Sequence, residues 1–188
     1  QVSTDALGDG ADEDAVTFGP LTSGQPSTVE ILARNSLGEE ATAYVWIDFN
    51  QDGVFADELN GPGTSDDVIE MVGTLAVPDG RSVADGPLTL NINVPRDAQT
   101  GDTYARVRLS SNAAGTPPTG INTSDGEIED YRVTIDEVFD WSDAPDNYNT
   151  DADNASGARG GNHRIIDGLR LGALVDAEDD GFPATFGD

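Results

Sequence analysis

The chain has 188 residues, with 36 acidic side chains against 9 basic ones, a formal charge of −27 and no cysteine. All nine basic residues are arginine, aspartate outnumbers glutamate 26 to 10, and His163 is the single histidine. This balance excludes a nucleic-acid partner, a disulfide framework and a zinc site of thiolates or clustered histidines, and no apolar run is long enough to insert in a membrane.

Alternating apolar runs mark the strands in chain order. Ser27–Asn35 alternates Val29, Ile31 and Ala33 against Glu30 and Leu32. Ala43–Phe49 places Val45, Ile47 and Phe49 on one face and Tyr44, Trp46 and Asp48 on the other. Val68–Val77 is a weaker run, interrupted at Gly73. Pro87–Val94, Thr103–Ser110 and Asp130–Ile135 alternate cleanly. With 22 glycines and 10 prolines filling the spaces between them, the expected fold is all-β: an antiparallel β-sandwich over residues 1–137. Residues 138–188 lose the alternation and read as an Asp-rich, loop-rich calcium-binding appendage packed on the sandwich. The chain opens at Gln1 with no apolar leader, so any export signal is expected outside it.

A body this acidic repels itself unless counter-charge is bound. One account is a heavily solvated, salt-tolerant surface; the other is calcium, which takes several carboxylate and carbonyl oxygens per ion. Spacing favours calcium. Asp48-Phe49-Asn50-Gln51-Asp52-Gly53-Val54 offers side-chain oxygens at positions 1, 3 and 5, a glycine at 6 and the Val54 carbonyl at 7. Position 12 is Leu59, so Asp57 or Glu58 would close the loop, and the segment leaves a strand rather than a helix. A plain Asp/Asn-rich hairpin turn is the alternative. Asp176, Glu178 and Asp180 repeat the spacing before Gly181. Further candidate ligands are Asp9, Asp12 and Asp14 near the start, and Asp140, Asp143 and Asp146 in the appendage. Glu127, Glu129 and Asp130 complete the set: alternation sends Glu127 and Glu129 to one face, where an ion or Arg106 and Arg108 would relieve the repulsion.

Nothing points to an enzyme. There is no cysteine nucleophile, no nucleophile-elbow serine motif and one histidine, while 36 acids make any carboxylate pair uninformative.

The words AYVWIDFNQDGVF (Ala43–Phe55), YARVRLS (Tyr104–Ser110) and GEIEDY (Gly126–Tyr131) resemble the GEVED domain of large bacterial surface proteins. Residues 140–188 are similar to the segment that alternates with such domains, except that Gly160-Gly161-Asn162 separates Arg159 from His163. The resemblance implies secretion to the bacterial cell surface, dependence on several Ca²⁺ ions, and a place among neighbouring domains of a giant RTX adhesin. It further implies capture of a peptide or protein C-terminus on a host or neighbouring cell through a bound calcium ion. Asn147, Tyr148, Arg159 and His163 are the candidate ligand-binding residues, with Trp141 expected simply to pack. A calcium-stiffened spacer domain and a calcium-dependent carbohydrate-binding module are the alternatives.

Overall fold

A computed structural model of the chain describes residues 15–55, 70–111, 117–119, 125–142, 160–175 and 177. The chain divides into two compact units, Gln1–Asp136 and Glu137–Asp188.

In the first unit the strands are β1 (Val16–Phe18), β2 (Leu21–Thr22), β3 (Pro26–Ile31), β4 (Ala41–Ile47), β5 (Met71–Val77), β6 (Leu88–Asn93), β7 (Gly101–Ser110) and β8 (Gly126–Asp136). They form a three-stranded sheet ordered β1-β3-β6 and a five-stranded sheet ordered β2-β8-β7-β4-β5. Every pairing is antiparallel except that of β2 with β8, which is parallel. This is the expected all-β sandwich.

Period-2 alternation builds the layer between the sheets. Val16, Val29, Ile31 and Ile92 from the smaller sheet meet Ala43, Val45, Ile47, Val77, Ala105, Val107, Val133 and Ile135 from the larger one in a single buried cluster. Tyr131 ties the layers together. Its ring meets Phe18 edge-on at 5.7 Å, and its hydroxyl accepts the Val16 N–H at 3.1 Å while donating to the Glu129 carboxylate.

Two local details depart from the sequence expectation. Gly73 does not interrupt its strand: a register shift opposite Val45/Trp46 takes up the extra residue, and β5 runs on to Val77. The strand entered at Asp130 begins four residues earlier, at Gly126. A Cβ on Gly126 would lie 1.8 Å from the Leu109 carbonyl oxygen, so only glycine lets β8 start against β7 there.

The outer face of the five-stranded sheet is also covered around its centre. Trp46 and Tyr44 are buried there and stack nearly parallel at 6.0 Å. Arg106, on the same face of β7, lies over the Phe55 ring at 5.1 Å. Asp48 continues the alternation on this side, while Phe49 after it enters the core.

In the second unit, β9 (Phe139–Trp141) and β10 (Asn162–Arg164) form an antiparallel ribbon. The ribbon occupies both ends of a stretch expected to be loop. Gly161, from the Gly160–Asn162 insertion, accepts the Ser142 N–H at 3.0 Å, so the extra residues serve to start β10. Among the described residues no helix is long and apolar enough to cross a membrane.

Candidate metal centre

The Asp48–Gly53 loop is shaped by its own side chains. Asn50 Oδ1 accepts the Asp52 N–H at 3.0 Å, and Asp52 Oδ1 accepts the Val54 N–H at 2.8 Å, two successive Asx turns. Gln51 and Gly53 both take positive φ, 56° and 80°. At Gly53 this left-handed turn carries no side-chain penalty, and it aims the Gly53 N–H at Asp48 Oδ2, 3.2 Å away.

The loop is also fastened from outside. Gln99 N–H donates to the Phe49 carbonyl at 2.8 Å and Gln99 Nε2 to the Asn50 carbonyl at 2.5 Å. Gln51 Nε2 returns bonds to the Gln99 and Thr100 carbonyls at 2.9 and 3.2 Å. Asp48 is pinned through its backbone on both sides: its N–H donates to the Tyr104 carbonyl, and its carbonyl accepts from Thr103 Oγ1 at 2.7 Å.

On this frame Asp48, Asp52 and Glu70 bring one carboxylate oxygen each to within 4.8 Å of one another. Asp48 is 5 % exposed and Glu70 is 0 % exposed, while Asp52 faces solvent. Glu70 is delivered by the sheet register, since the Ile47 N–H donates to its carbonyl at 2.9 Å, immediately before β5. Asp48 Oδ1 is buried and accepts no hydrogen bond. Three like charges at this spacing with a bare buried oxygen are costly without a cation, and hard oxygen donors suit calcium or magnesium. The residues present fit a divalent ion.

The structure thus brings together two of the expected loop ligands, Asp48 and Asp52, and adds Glu70, which sequence reasoning missed. The available signal was an acid set inside the apolar run Val68-Ile69-Glu70-Met71-Val72. Asn50 spends its side chain inside the loop, its Nδ2 donating to Asp52 Oδ2 at 3.2 Å. Val54 is exposed at the loop's end. Glu58 lies outside the described residues.

The GEIEDY word behaves differently. The register sets Glu129 opposite Val107 and Glu127 opposite Leu109, so both glutamates share the side of those apolar residues, away from Arg106 and Arg108. The arginines therefore do not relieve the glutamate pair. Glu127 is exposed, and Glu129 accepts the Tyr131 hydroxyl. Asp130 gives both oxygens to Arg106, Oδ1 to Nε at 2.6 Å and Oδ2 to Nη2 at 2.5 Å, which removes it from the ligand set.

In the second unit Asp140 on β9 faces His163 on β10 in register. Asp9, Asp12, Asp14, Asp143, Asp146, Asp176, Glu178, Asp180, Asn147, Tyr148 and Arg159 lie outside the described residues.

Residues 42–134 match the family model of the GEVED domain, a span running from β4 into β8 that holds the whole Asp48–Asp52–Glu70 cluster and the Arg106–Asp130 pair. No curated protein and no solved structure matches the chain. Over residues 42–134, then, the chain carries the pattern of the GEVED domain family.

Proposed function

We propose that this chain is a calcium-stabilised module of a bacterial surface adhesin, non-enzymatic, with one calcium ion held by Asp48, Asp52 and Glu70. The observation that carries the reading is the bare, buried Asp48 Oδ1 beside a second buried carboxylate and a third exposed one. Calcium supplies the charge those oxygens lack and fixes the β4–β5 connection. Its preference over magnesium follows from the donor set: a strand-leaving loop with carboxylates of mixed exposure suits calcium's loose six-to-eight-oxygen shell better than a rigid octahedron. Outside a cell calcium is plentiful, so even a weak site is filled, which agrees with a surface location.

Two of the three carboxylates are buried, so this ion acts on stability first. Capture of peptide or protein C-termini is the finer part of the proposal. It is assigned to the second unit, where the ribbon sets His163 opposite Asp140.

Thermal unfolding in EDTA, in calcium and in magnesium tests the core of the reading. Calcium at about one hundred times its dissociation constant adds about 2.7 kcal/mol, a rise in Tm of roughly 5–10 °C for a chain of this size. Identical melts in EDTA and millimolar calcium overturn it. A peptide and glycan array with and without chelator then separates the roles: C-terminal peptides support capture, glycans assign a carbohydrate-binding module, and no hits leave a spacer.

A further inference from the structure

Arg106 and Arg108 stand two residues apart on the same outer face of β7, yet among the described residues only Arg106 has a counter-charge. Arg106 is paired through two bonds with Asp130. Arg108 is 4 % exposed, and of the five N–H donors of a guanidinium it gives one to the described residues, from Nη1 to the Pro117 carbonyl at 2.7 Å. No carboxylate pairs with it among the described residues. Burial first, and then the neighbouring Arg106 charge, lower its pKa, as expected for a cation lacking a partner.

A second donor lies on the same face. Trp46 is 1 % exposed, and its Nε1–H meets no acceptor. The register pairs Trp46 with Arg106 and Tyr44 with Arg108, making Trp46 and Arg108 diagonal neighbours across β4 and β7. On the other side of Arg108 its β8 partner, Ile128, is 49 % exposed, so solvent lies one strand away.

We propose that Arg108 and Trp46 form a carboxylate-binding pocket on the outer face of the five-stranded sheet. An unpaired buried cation is destabilising, and a chain of −27 has acids in excess with which to neutralise it, as Asp130 does for Arg106. Leaving Arg108 unpaired reserves it for an incoming anion. A guanidinium fork selects a planar carboxylate, and the indole N–H adds a third, neutral donor. The pocket is independent of the calcium reading, because none of its residues belongs to the Asp48–Asp52–Glu70 cluster.

The test follows the two indole N–H resonances of ¹⁵N-labelled, calcium-loaded protein during titration with sodium acetate, against sodium chloride at matched ionic strength. The Trp46 resonance is expected to move saturably with acetate only. Arg108→Gln is expected to abolish the movement. No movement, equal movement with chloride, or movement that survives Arg108→Gln overturns the pocket. If circular dichroism shows that Arg108→Gln does not fold, Arg108→Lys replaces it. Retaining charge without the fork should weaken acetate by about tenfold or more, and undiminished affinity overturns the proposal. N-acetylglycine, its amide and acetate distinguish the source of the carboxylate. Tighter binding of N-acetylglycine supports a peptide chain end and tighter acetate a small free acid, whereas an equal response to the uncharged amide overturns carboxylate recognition.

Discussion

Two acidic words of this chain look alike as text and differ as chemistry. Asp48–Gly53 sets Asp48, Asn50 and Asp52 beside a glycine, and Gly126–Tyr131 sets Glu127, Glu129 and Asp130 beside one. In the second, the fold finds each inward or paired acid a donor: Arg106 for Asp130 and the Tyr131 hydroxyl for Glu129. In the first, the fold adds an acid instead, Glu70, and leaves a buried oxygen of Asp48 bare. An acid is left as a candidate metal ligand when the surrounding sheet declines to satisfy it. Density of carboxylates alone does not decide the matter.

The sharpest way to break that contrast is Glu70→Gln. With calcium present the variant should lose most of the ion's stabilisation, about 2–3 kcal/mol. In EDTA the order should reverse, because the amide removes one of two buried like charges; the variant then melts at or above the native protein. Calorimetry under both conditions checks the crossover. A Glu70→Gln protein less stable in both would mean that Glu70 is held by something other than a cation.

Tyr131→Phe probes the satisfied word. It removes the acceptor of the buried Val16 N–H and the donor to Glu129, at a cost of about 1–3 kcal/mol that calcium does not alter. Burial first, then the Glu129 bond, push the Tyr131 hydroxyl well above its ordinary value of 10.0. The unfolded chain therefore loses this proton near its ordinary pKa while the folded one keeps it. Stability from this group is whole below that pH and drains away as the pH rises beyond it. Urea melts across the alkaline range should show a steeper decline for the native protein than for Tyr131→Phe.

Arg106→Gln should cost somewhat less, about 1–2 kcal/mol, shared between the partly exposed pair with Asp130 and the contact with the Phe55 ring. The loss should be equal with calcium and with EDTA. A calcium-dependent loss would place Asp130 back in the metal's reach and blur the distinction between the two words.

How much of this was legible depended on distance along the chain. Alternation placed Val45, Ile47, Phe49, Ala105, Val107, Tyr131, Val133 and Ile135 in the core, because period 2 is a local property of the strand. The Asx turns of Asn50 and Asp52 were equally local. Glu70 stood out only as an acid within an apolar run; its meeting with Asp48 was not legible, because it comes through the pairing of β4 with β5, and no local pattern encodes that register. The same reason hid the partner of Asp130. Arg106 stands directly opposite it on β7, while Glu127 and Glu129, which precede Asp130, face the other way. β1 and β2 were missed because three and two residues are too few to show a period.

Asp102→Asn should have the smallest effect. Asp102 accepts from the Thr134 hydroxyl at 2.7 Å and from Arg132 Nη2 at 2.5 Å, and those two partners, the hydroxyl first, hold its carboxyl below the usual value. Linkage alone would assign stability to such a group above its ordinary pKa, lost on acidification. Yet the side chains of the pair are 50 % and 43 % exposed, so water competes for the same bonds and salt screens the charge. Melts of Asp102→Asn should therefore coincide with those of the native protein from neutral pH to pH about 5. A clear drop would show that partners satisfy an acid in water as firmly as they do Glu129 at the edge of the core, and burial would lose its place as the variable that separates the two words.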